Sequence, residues 1–171
     1  SQRCTTGGQF HVEGPFTSFP LHGVSKRQSC CSQSTTEAEI VACAHVYDKI
    51  MLPAMDLWEI IIIELSHRTL PSPEFQLMVD NDPMHRVLKS GRNPTMKSLH
   101  RVHRVDVAWL HERVGNPATA DNVVAYWCDT KSQKADIHTK SFKTPAEWQA
   151  VRTRINIIPK TDIWTHIRET N

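Results

Sequence analysis

Phe75-Gln76-Leu77-Met78-Val79-Asp80-Asn81-Asp82-Pro83 is the stretch from which the fold can be read. The five residues from Phe75 to Val79 suit a short apolar strand, which delivers the carboxylate of Asp80 at its end. Asp82-Pro83 is a cap and first-position pair: the carboxylate can accept free N–H groups of a first turn, where proline's missing N–H does no harm. A strand therefore passes directly into a helix, Pro83 to about Ser90, with an acid at the junction. Downstream, Gly91 to Thr95 breaks that helix, and a basic helical stretch runs from Met96 to Val114. Gly115 to Asp121 is a loop and Val123 to Cys128 a second strand. A polar turn leads into a helix near Ala135, and Trp148 to Ile158 is a final amphipathic helix.

Upstream, Gln9 to Glu13 and Phe16 to Val24 flank Gly14-Pro15 and predict a hairpin. Pro20 lacks a ladder donor, so the second strand belongs at a sheet edge. Ser34-Thr35-Thr36-Glu37 is a capping-box pattern, with Glu37 reaching back to Ser34. The helix it opens extends to about Leu52, where Pro53 kinks or ends it. A second piece, Ala54 to Leu65, is apolar enough to predict burial, and Ser66 to Glu74 is a loop. Strands first, then helices alternating with strands, point to an α/β fold with a mixed sheet.

A chain of 171 residues, 39% of them hydrophobic, suits one packed domain. The longest uninterrupted isoleucine run, Ile60 to Ile63, is far short of a membrane span. Five cysteines, an odd number without paired metal spacing, read as free thiols in a reducing, intracellular compartment. The net charge of +2 conceals an asymmetry: residues 1–85 hold 5 Lys and Arg against 10 Asp and Glu, and residues 86–171 hold 15 against 8. Arg86, Lys89, Arg92, Lys97, Arg101 and Arg104 follow one another with no acid between them. Clustered cations of this kind fit a phosphate backbone, whose condensed counterions they release. His100, His103 and His111 lack Cys or acid partners at zinc spacing and are expected to add to that basic surface.

Three acids stand where chemistry would want them. With Cys43, Val46, Tyr47 and Ile50 taken as the buried arc of the first helix, Glu39 falls inside the arc and Glu37 at its margin. A carboxylate in an apolar stripe is costly unless paired, so Glu39 lacks the capping explanation that serves Glu37. Asp80 ends a strand and Asp136 opens a helix. Asp82 is expected only to cap. Several carboxylates around two Mg²⁺ ions roughly 3.5–4 Å apart are what two-metal phosphodiester hydrolysis requires.

Four blocks, in order over roughly residues 3 to 155, resemble the ribonuclease H domain of copia-type retrotransposon polyproteins. Arg3-Cys4-Thr5-Thr6-Gly7-Gly8 is similar to the family's "RSTSG". Ser25-Lys26-Arg27-Gln28 with Ser34-Thr35-Thr36-Glu37-Ala38-Glu39 resembles "SKRQ … SSTEAEY". Val79-Asp80-Asn81 is similar to "CDN", and Gln133 to Lys140 looks like "QxADIxTK". The "KHIDIRYH" block is matched loosely by Arg104 to His111, its last His displaced by one, so no role carries over to His111.

The resemblance implies a ribonuclease H-like mixed sheet of order 3-2-1-4-5 with flanking helices. It implies Glu39, Asp80 and Asp136 as catalytic and metal-binding acids holding two Mg²⁺, and an RNA–DNA hybrid as substrate. Contacts to the nucleic acid would come from Lys26, Arg27, Arg86, Lys89, Arg92, Lys97, Arg101 and Arg104. The family's first acid lies just before its "RSTSG" block, and no residue here matches it. The expectation is thus a domain over residues 1–158 lacking its central first strand and inactive as it stands, with 159–171 as a tail. Its partners would be nucleic acid and the rest of the Pol polyprotein, without membrane or small-molecule cofactor, in a cytoplasmic particle or the nucleus. Two alternatives stay open: a degenerate element remnant that at most binds nucleic acid through residues 86–104, and a host protein reusing the fold as an interaction module.

Overall fold

The computed structural model describes residues 3–29, 31–65, 74–93, 96, 99–116 and 123–159. The chain is mixed α/β. Its elements run β1 (Thr5–Gly14), β2 (Thr17–Arg27), α1 (Thr35–Val46), α2 (Leu52–Glu64), β3 (Phe75–Val79), α3 (Asp82–Ser90), α4 (Leu99–His103), α5 (Val107–Leu110), β4 (Val123–Trp127) and α6 (Pro145–Arg154). Among the described residues no helix is long and apolar enough to cross a membrane. The strands form two separate sheets, the hairpin β1-β2 and the pair β3-β4. The chain divides into two compact units, residues 1–6 with 26–133 and residues 7–25 with 134–171.

In the first unit β3 and β4 pair in parallel, Phe75 with Val123 through Val79 with Trp127. Parallel neighbours need a long crossover, and α3, α4 and α5 supply it. Ile40, Cys43, Tyr47 and Met51 meet Val79, Met84, Leu88, Leu110, Val123 and Ala125 in one core. Tyr47 packs edge-on against Trp109 with ring centroids 5.4 Å apart.

Several expected boundaries shift for local reasons. Asn81, not Asp82, caps α3, its Oδ1 accepting from Met84 N at 2.9 Å. Asp82 is the first helical residue and pairs with Arg86 at 2.6 Å. Gly91 ends α3 at φ 65°, the left-handed cap that glycine adopts without strain. The expected continuous helix from Met96 to Val114 is broken because Asp106 caps a new one, accepting from Ala108 N at 2.8 Å.

The helix does not end at Pro53. Tyr47–Met51 form a π-helical turn in which Leu52 N–H reaches Tyr47 O, and α2 continues directly from it. The wider turn precedes a residue that could not have joined the α ladder. The predicted burial of Ala54 to Leu65 is wrong: α2 has no buried residue, and Leu57, Ile60 and Ile63 are 51%, 57% and 68% exposed. Apolar content alone does not decide where a helix goes when the core is already filled by its neighbours.

In the second unit the expected helix near Ala135 is a 3₁₀ turn, Lys134–His138. Ser25 Oγ donates to His138 O at 2.7 Å, and His138 Nε2 lies 2.7 Å from Gln9 Oε1. The final helix starts earlier than expected because Thr144 and Glu147 form a full capping box. It also stops earlier, since Asn156 at φ 59° closes it, with Asn156 N donating to Thr153 O and Ile157 N to Arg152 O. Val151 and Ile155 are the buried residues of that segment.

Candidate acidic site and basic segment

Glu39 lies in the first turns of α1, half-buried, and Asp80 directly follows β3, also half-buried. Both belong to the first unit, whereas Asp136 belongs to the second. Glu39 stands one turn before Cys43. Burial, reinforced by the charge of Glu39, pushes the Cys43 thiol up to about 12. Glu39 also lines a shallow depression of about 390 Å³ with Cys4, Thr5, Ser32, Ser34 and Thr35.

The more deeply buried acid of α1 is Glu37, contrary to the expected placement of Glu39 in the apolar arc. Ile40 and Met51 are buried while Val46 is only half-buried, which rotates the core-facing arc toward Glu37. Glu37 does not reach back to Ser34. Its Oε2 accepts from Gln33 N at 2.7 Å, and Ser34 Oγ accepts from Glu37 N at 3.1 Å. Its Oε1 lies 2.9 Å from His103 Nε2, with the two side chains 8% and 2% exposed. The contact is a close polar approach, off the line of a ring N–H hydrogen bond.

His103 is therefore interior, and the expectation that it adds to a basic surface is overturned. The same holds for His111, which is half-buried and whose Nδ1 donates to Leu88 O, in the last turn of α3, at 2.7 Å. His100 is exposed. Sequence reading also missed Gln28, whose buried amide donates to Ala38 O at 2.9 Å and accepts from Ser32 Oγ at 3.2 Å. Its backbone N–H donates to Cys4 O, so one residue ties the base of the hairpin to α1. A polar residue at the end of a strand carries no signal of such a clamp.

Asp136 is buried in the 3₁₀ turn, and Lys140 Nζ donates to its Oδ2 at 2.7 Å. Its backbone carbonyl accepts from Thr139 N and Lys140 N. Within each unit, among the described residues, no three His, Cys, Asp or Glu side chains gather into a metal-holding group. Of the basic candidates, Lys26, Arg27, Arg86, Lys89, Arg92, Arg101 and Arg104 are exposed and lie in the first unit; Lys97 falls outside the described residues. Arg86 and Lys89 share the solvent stripe of α3 with Asp82, so the Arg86 charge is partly offset. Arg104 holds the left-handed conformation at φ 57° and ends α4, its N–H donating to His100 O at 3.0 Å.

Set against known proteins, the chain matches no family model, no curated protein and no solved structure.

Proposed function

We propose that this chain belongs to a ribonuclease H-type domain of a copia-like retrotransposon polyprotein, whose substrate is an RNA–DNA hybrid. What carries the proposal is the placement of Glu39 and Asp80: one on the helix and one at the strand end that share a single core, as the motif blocks require. The strand pairing supports it too. A 3-2-1-4-5 sheet without its first strand leaves an antiparallel hairpin and a parallel pair joined by a crossover, and the chain has one of each.

The donor chemistry fits Mg²⁺, since Glu39 and Asp80 offer hard carboxylate oxygens on half-buried, solvent-reachable side chains. Asp136 keeps its part by motif position, with Lys140 on one of its oxygens. Bound Mg²⁺ would polarise the scissile phosphate and activate water. The first unit's exposed arginines and lysines would hold the hybrid backbone, recognised by shape and 2′-hydroxyls. On this reading the domain works inside the cell, in a cytoplasmic particle or the nucleus, beside the rest of the polyprotein.

A second reading, binding without hydrolysis, is favoured by the Lys140 contact on Asp136. Hybrid binding and cleavage assays separate the two. With about six phosphate contacts, affinity should fall on the order of a thousandfold between 50 and 200 mM salt. It should weaken further when Arg86, Lys89 and Arg92 become Ala. On the second reading, cleavage should be absent or nearly so. Mg²⁺-dependent cleavage abolished by Asp80→Asn would overturn the inactive reading while supporting the family, and salt-insensitive binding would overturn the proposal itself.

A further inference from the structure

Helix α2 is built unlike the other elements of its unit. Over thirteen residues it carries Asp56, Glu59 and Glu64, no Lys or Arg, and no buried side chain. Pro53, Asp56, Leu57, Ile60, Ile63 and Glu64 are all exposed. Their spacing of three and four residues puts them on one face, about 16 Å long at 1.5 Å per residue. Leu57, Ile60 and Ile63 share this face with Asp56 and Glu64, and Glu59 lies at its edge, so exposed apolar side chains are set among charge of one sign, a form suited to helix recognition.

The charge decides what the stripe can accept. A second copy of α2, laid antiparallel, would bring Asp56 and Glu59 against Glu64 of its mate with no base to offset them. Nucleic acid and anionic lipid are repelled for the same reason. A partner helix with its own apolar stripe flanked by Lys and Arg meets both requirements. We infer that the exposed face of α2 is a docking surface for a basic amphipathic helix of a partner protein. This inference does not depend on the nuclease reading. Three turns of contact make a small interface, so binding in the micromolar range is expected.

The test uses the full 171-residue chain and two synthetic 18-residue helical peptides with the same leucine stripe, one flanked by Lys and one by Glu, followed by fluorescence anisotropy. The Lys peptide should bind at least about tenfold tighter than the Glu peptide. The double variant Ile60→Ser, Ile63→Ser should weaken it about tenfold or more, and unchanged far-UV circular dichroism would show the fold intact, since both side chains are exposed. Asp56→Lys with Glu59→Lys and Glu64→Lys should reverse the preference between peptides. Equal binding of both peptides, a preference unmoved by the charge reversal, co-sedimentation with phosphatidylcholine vesicles, or a dimer dispersed by the double Ser variant would each overturn the inference.

Discussion

Replacing Glu37 by Ala should cost the first unit about 3–5 kcal/mol, the combined loss of its hydrogen bond to Gln33 and of its close polar contact with His103. The magnitude follows from what the carboxylate touches. Oε2 accepts a charge-assisted bond from Gln33 N at 2.7 Å, worth roughly 1.5–3 kcal/mol. Oε1 faces His103 at 2.9 Å, and with that ring 2% exposed its nitrogen would lose its counterpart without gaining water. Leaving such a group unsatisfied costs a further ~1–3 kcal/mol. Glu37→Gln keeps an oxygen for Gln33 N and should cost about half as much. Urea unfolding, followed through the near-ultraviolet dichroism of the Tyr47–Trp109 pair, reads the unit that matters. A double-mutant cycle with His103→Ala should give a coupling of about 1–3 kcal/mol. If Glu37→Ala stays within about 0.5 kcal/mol of the parent, or the two substitutions simply add, the pairing is a bystander and the reasoning fails.

Two further outcomes follow from the packing. His111–Gly115 form a π-helical turn in which a Cβ at residue 115 would lie 1.9 Å from Leu88 O, so Gly115→Ala must push that turn off α3 and should destabilise by about 1–3 kcal/mol or more; a stability equal to the parent's in urea would contradict the close approach. In the second unit, burial holds both His11 and His138 below the ordinary 6.5, helped by the Lys134 charge for the first, against an opposing pull from Glu13, and by His22 for the second. Their neutral forms are favoured when folded, so this stabilisation is complete above pH 6.5 and is lost as pH falls toward the lowered folded values. Urea midpoints measured at about pH 7.5 and 5.5 should drop on acidification, with the drop reduced in His11→Gln, His138→Gln; a flat profile in the parent would refute the assignment.

The parts of the fold written in local chemistry were legible in the sequence. The strand Phe75–Val79 was read residue for residue, the hairpin was found with its strands too short, and Ser34 was recognised as a cap. What failed depended on partners distant in sequence. Choosing Val46 over Ile40 as a core position turned the helical wheel the wrong way, and only His103, sixty-odd residues on, explains why Glu37 goes inside. The burial of α2 was inferred from composition, which says how much a helix would gain from a core and not whether one is available. Asn81 and Asp82 are both competent caps, and the choice between them rests on a one-residue difference in where the backbone turns.

The π-helical turn at Tyr47–Met51 sets an angle as well as accommodating a proline. A π turn holds in effect one residue more than an α turn, so everything after it is rotated by about 100° from where an unbroken α-helix would carry it. Removing one residue from this turn would straighten the ladder and force Pro53 into it, at a cost near 3 kcal/mol. It would also sweep the Leu57–Ile60–Ile63 stripe more than a quarter of the way around the helix axis. The bearing of α2 is thus indexed by a residue count upstream of it, like a key whose teeth are cut in one place and turned in another. An insertion or deletion there would leave the composition of α2 intact and still point it somewhere else.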